Sequence, residues 1–106
     1  MEIKRTEQAG VPARSGMISW AQFVEMTEMH PSLVGELIEL GWFEPSVTSE
    51  EVYLFRLRDV YRARKFERIS KEFELTHTGG MLVVDLMDRI ERLERKIVEL
   101  ERLLHV

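Results

Sequence analysis

Along the last quarter of the chain, apolar residues recur at alternating spacings of three and four: Val83, Leu86, Ile90, Leu93, Ile97, Leu100 and Leu104. This heptad seam predicts one long α-helix whose apolar stripe lies in water unless another helix covers it. The first heptad position holds Val83, Ile90, Ile97 and Leu104, and the fourth holds Leu86, Leu93 and Leu100. β-Branched residues at the first position with leucine at the fourth favour two parallel strands. The flanking charges agree. In a parallel pair Arg89 would face Glu94 of the other chain and Lys96 would face Glu101, whereas an antiparallel pair would bring like charges together. The competing reading packs the seam on the chain's own N-terminal half. Pairing between two copies, through these seven residues, is the expectation.

Upstream, the pattern predicts three shorter helices and one extended stretch. Ser19 followed three residues later by Gln22 has the spacing of a capping box and starts a helix to about Thr27, with Trp20, Phe23, Val24 and Met26 as its apolar positions. His30-Pro31-Ser32 marks the next start, because proline is tolerated at the first helical position. That helix carries Leu33, Val34, Leu37, Ile38 and Leu40 and stops at Gly41. Two short helices joined by so tight a turn form a helix-turn-helix. Trp42 to Glu51 reads as a turn-rich arm, and Val52-Tyr53-Leu54-Phe55 as a strand, half of a wing hairpin. A third helix is expected over Arg58–Phe73, and Thr76-His77-Thr78-Gly79-Gly80 as the break before the seam helix. Residues 1–16, rich in small and turn-forming residues, read as a disordered leader. The expected division is therefore 1–16 leader, 17–78 helix-turn-helix domain, and 79–106 coil.

Composition sharpens this. The 106 residues are 44% hydrophobic and 32% charged, which describes a folded protein with a large wet surface. With no cysteine in the chain, thiol chemistry, disulfides and cysteine-held metals are excluded. No apolar run reaches membrane-spanning length and no signal-peptide core precedes the domain, so a cytoplasmic location is expected. The net charge is −4, but it is unevenly spread. Residues 17–50 hold six carboxylates and no lysine or arginine, while residues 51–76 hold seven basic side chains against five acidic ones. His30, His77 and His105 are far apart and outside any short ligand pattern, so neither a metal nor a cofactor is expected. No serine or lysine has an evident activating partner, and an enzyme is not expected.

Three stretches carry a family resemblance: Ile18 to Val24 with Gly41–Pro45; Val52-Tyr53-Leu54-Phe55 leading into Asp59-Val60; and Gly79-Gly80-Met81-Leu82-Val83-Val84-Asp85-Leu86-Met87-Asp88-Arg89-Ile90. In order and spacing they resemble the MerR-like winged-helix superfamily and, within it, the chaperone-modulator CbpM family, over about residues 17–104. The resemblance implies a mainly all-α fold: a winged helix-turn-helix with a short β wing and a long C-terminal coiled-coil helix. It implies a modulator that binds the J-domain of a DnaJ-like co-chaperone and blocks stimulation of Hsp70. MerR-like relatives commonly pair through antiparallel C-terminal helices, so the polarity of the coil stays open.

The charges bear on the alternative, a MerR-like DNA-binding transcriptional regulator. Proteins hold DNA by neutralising phosphates with lysine and arginine. The second helix of the motif offers Glu36 and Glu39, flanked by Glu28 and Glu44, and no basic side chain. Where DNA-binding relatives carry arginine and tyrosine, this chain has Val34-Gly35-Glu36-Leu37. These features argue against direct DNA binding by that helix. The basic cluster Arg56, Arg58, Arg62, Arg64, Lys65, Arg68 and Lys71 argues the other way, unless it is a solvated face paired as Asp59–Arg62 and Glu67–Lys71. The J-domain's basic helix suits an acidic partner. The candidate contacts are Glu25, Glu28, Glu36, Glu39 and Glu44, with Trp42 and Phe43 as apolar anchors or, equally, as closure of the core.

Overall fold

The computed structural model describes residues 16–105. In chain order it contains β1 (Met17–Ser19), α1 (Trp20–Thr27), α2 (Pro31–Glu39), β2 (Ser46–Val47), β3 (Tyr53–Arg56), α3 (Leu57–Glu72) and α4 (His77–Leu104). The expected leader falls on residues outside those described, save Gly16, a turn residue with φ 75°. The chain divides into two compact units, one up to Arg64 and one from Lys65 onward, so the division falls inside α3. No helix among the described residues is long and apolar enough to cross a membrane.

In the first unit, the capping box forms as its spacing predicts. The Ser19 hydroxyl accepts from the Gln22 N–H at 3.2 Å and the Gln22 amide oxygen accepts from the Ser19 N–H at 3.0 Å. At the other end of α1, Glu28 takes the left-handed conformation, φ 59°. Thr27 Oγ1 donates to the Phe23 carbonyl at 2.8 Å and accepts from the Met29 N–H at 3.3 Å. These bonds satisfy the turn internally and seat Met29 in the core. α2 begins at Pro31 behind an N-cap His30, whose Nδ1 accepts from the Ser32 N–H at 3.1 Å. It ends at Leu40 and Gly41, where φ 79° suits a residue without Cβ.

The wing is a three-stranded antiparallel sheet in the order β1-β3-β2. Ile18 pairs with Phe55 on one side of β3, and Val47 pairs with Tyr53 on the other. The strand expected at Val52–Phe55 is displaced by one residue. Thr48 holds Val52 in the hairpin loop, its N–H donating to the Val52 carbonyl at 3.0 Å and its hydroxyl accepting from the Val52 N–H at 3.1 Å. β1 was not expected, since three residues are too few to show alternation. Its pairing with a strand nearly forty residues on is what defines it.

The core of this unit is aromatic. Phe23 stacks on Phe55 at 4.0 Å, and Phe43 meets Phe23 edge-on at 5.4 Å. Val34, Leu37, Val60 and Ala63 are fully buried in the same unit. α3 is opened by Asp59, whose Oδ2 accepts from the Arg56 N–H at 3.1 Å. It runs over Leu57–Glu72, close to the expected Arg58–Phe73.

In the second unit, the end of α3 and the start of α4 approach closely at Gly80. A Cβ there would sit 2.9 Å from the Phe66 ring and closer still to Ser70 Oγ. Phe66, Gly80 and Val84 are buried. Lys65 Nζ lies 3.2 Å from Asp88 Oδ1 and 3.8 Å from Glu91 Oε2. The break between the helices is Phe73–Thr76, earlier than the glycine pair suggested. Thr76 caps α4 by accepting from the Gly79 N–H at 3.0 Å, which places both glycines inside the helix.

Candidate partner-binding surfaces

The helix-turn-helix turns carboxylates to the outside. On α2, Val34 and Leu37 face the core, and helical spacing puts Glu36 and Glu39 on the opposite side, where both are exposed. Glu25 lies across α1 from the buried Phe23, and Glu28 and Glu44 are exposed in the flanking turns. All five candidate acidic contacts are therefore accessible. Residues 17–50 contain no lysine or arginine, and His30 is engaged as a helix cap.

The two aromatic candidates, read either as anchors or as closure of the core, are both buried. Phe43 is 1% exposed, inside the Phe23–Phe55 cluster, and Trp42 is buried beside it at 5.0 Å between ring centroids. The Arg62 guanidinium covers the indole at 4.1 Å and donates to the Trp42 carbonyl at 3.2 Å. Neither ring is available to a partner unless the core opens. The exposed apolar side chains of the motif are instead Leu40, 58% exposed, and Met26, 39% exposed. Leu40 lies beside Glu36 on the α2 wheel, well off the Val34–Leu37 direction. That offset is legible in the sequence, although counting apolar positions alone assigns Leu40 to the core face.

The basic cluster is not uniform. Arg62 serves Trp42, Lys65 bridges Asp88 and Glu91, and Lys71 lies 3.9 Å from Glu67 as expected. The expected Asp59–Arg62 pairing gives way to the Asp59 cap on the Arg56 N–H. Arg56, Arg58 and Arg64 remain exposed in the first unit. Leu57, Tyr61 and Arg64 share a face of α3 by their spacing, and Tyr61 is 60% exposed. This aromatic on a basic face was missed in the sequence because Tyr61 belongs to no motif.

The seam of α4 faces water. Leu86, Ile90, Leu93, Ile97 and Leu100 are each more than half exposed, and Leu104 more so at the helix end. Only Val83 is half-buried. No group of His, Asp or Glu among the described residues is arranged to hold a metal.

A helix-turn-helix closed by a β wing, followed by a long seam-bearing helix, defines a winged-helix protein of MerR type. The family model described as MerR HTH family regulatory protein matches residues 18–102, and the chain belongs to that family.

Proposed function

We propose that this chain is a chaperone modulator of the CbpM kind within the MerR family, inhibiting a DnaJ-like co-chaperone by occupying its J-domain. The observation that carries the reading is α2. In a DNA-reading member this helix enters the major groove, yet here its exposed side presents Glu36 and Glu39 without a single lysine or arginine from residue 17 to residue 50. Duplex phosphates would repel that side, whereas a basic protein helix would be drawn to it. The resemblance of residues 79–90 to the modulator family supplies the partner class. The mechanism is occlusion: long-range attraction brings the two surfaces together, Leu40 and Met26 offer apolar contact beside the carboxylates, and the J-domain's basic helix is no longer free for Hsp70. No covalent chemistry is involved.

A second reading has its own observation. Arg56, Arg58 and Arg64, with Tyr61 between them on α3, form an exposed surface of the sort that meets nucleic-acid backbones. One calorimetric experiment separates the two. Titration into the isolated J-domain of the same organism's DnaJ-like co-chaperone should give one J-domain per chain, with affinity that weakens as salt rises. Binding to duplex DNA with no heat from the J-domain would replace the modulator reading by the regulator one.

A further inference from the structure

The wing carries an aromatic surface that the core does not use up. Side chains alternate along β3, so Phe55 fills the core while Tyr53, on the same face, reaches its margin and stays 38% exposed. The half-buried Trp20 joins the two, its ring centroid 6.1 Å from Phe55 and 5.9 Å from Tyr53. Across the sheet Tyr53 pairs with Val47, which is 55% exposed. An indole, a phenol and an aliphatic side chain therefore meet water side by side at the edge of the first unit.

The loop that joins Val47 to Tyr53 sets two carboxylates beside this surface. Thr48 fixes the loop: its hydroxyl accepts from the Glu50 N–H at 3.3 Å and the Val52 N–H at 3.1 Å, and its carbonyl accepts from the Glu51 N–H at 2.8 Å. Glu50 and Glu51 are exposed, and neither is in an ion pair among the described residues. Beyond residue 17 the first basic side chain is Arg56, which the alternation of β3 puts on the other face of the sheet.

We propose that this face of the wing docks a basic, extended segment of a protein partner, with one arginine or lysine over Tyr53 and Trp20 and its neighbours on Glu50 and Glu51. Charge selects the occupant. Phosphates would be repelled by the loop, and a purely apolar segment would leave its carboxylates without partners, whereas a cation gains from both the rings and the carboxylates. The fold already makes one such contact, the Arg62 guanidinium over Trp42 at 4.1 Å. Sheet topology selects the shape. β2 is an edge of the three-stranded sheet, so a segment laid along its outer side would gain main-chain hydrogen bonds next to Val47. The contact uses none of the α2 carboxylates and stands whichever partner α2 binds.

Trp20 and Trp42 are the only tryptophans of the chain, so full-length protein labelled with nitrogen-15 gives two indole N–H signals. Titration with a decapeptide of alternating arginine and serine should move the Trp20 indole and the Val47 and Tyr53 amides along one saturable curve while the Trp42 indole stays still. Glu50→Gln with Glu51→Gln, confined to an exposed loop, should weaken that curve by about fivefold or more, and Tyr53→Thr, which keeps a β-branched residue in the strand, by about fivefold. Glu36→Gln with Glu39→Gln serves as the control and should change it by less than about twofold. Saturable shifts confined to α2, or no saturable shift at millimolar peptide, would overturn the proposal. An equal loss from the α2 pair and the loop pair would overturn it as well, because the peptide would then be reading overall charge.

Discussion

Gly80 is the residue whose side chain, or lack of one, most tightly constrains the second unit. Its backbone passes so close to Phe66 and Ser70 that a methyl group would overlap both. Gly80→Ala should therefore cost about 1–3 kcal/mol in urea unfolding, the usual scale of overpacking. Ser70 Oγ is buried without a hydrogen-bond partner, so Ser70→Ala should be neutral or stabilising and should recover part of the Gly80→Ala loss. An additive double variant would show that the two residues do not share one contact. The sequence could not disclose this. Thr78-Gly79-Gly80 reads locally as a helix breaker, and only the close approach of another helix explains a glycine within one. Trp42 and Phe43 teach the same lesson. Two aromatics beside an acidic helix suit an anchor or a core equally well, and the Arg62 guanidinium that covers Trp42 comes from twenty residues further on.

At the scale of elements, what could be read was what is decided locally. Caps and turn residues act within four positions, so Ser19, Gln22, Pro31 and Gly41 announced both helices of the motif and the tight turn between them. Ser19→Ala removes the bond to the Gln22 N–H, and the reciprocal Gln22 contact then stands alone. The expected loss is about 1 kcal/mol in thermal unfolding. A variant that melts with wild type would mean that packing against β3, not the cap, holds the start of α1. The strands were less legible. β1 and β2 contribute three and two residues, and each exists because β3 provides hydrogen-bonding partners on both its edges. The seam of α4 was readable because its period is set by helix geometry alone. What water leaves uncovered on that helix required coordinates.

At the scale of the whole chain, charge separates the two functions that a MerR-type scaffold could carry. The fold makes α2 the second helix of a helix-turn-helix, and the sequence gives it carboxylates without a lysine or arginine from residue 17 to residue 50. The location of the acidic residues was visible from the first reading, because α2 is short and its buried positions are few. Their apolar companions, Leu40 and Met26, are missed by counting apolar positions alone, which ignores the direction in which each points. The proposed contact for a basic protein surface is α2. Its most direct test is the affinity of Glu36→Lys with Glu39→Lys for the J-domain, measured beside wild type at one salt concentration with unfolding curves confirming an intact fold. Reversing two charges should weaken binding by at least about tenfold and reduce its dependence on salt. Unchanged affinity in a folded variant would contradict the central claim and move the contact off the helix-turn-helix.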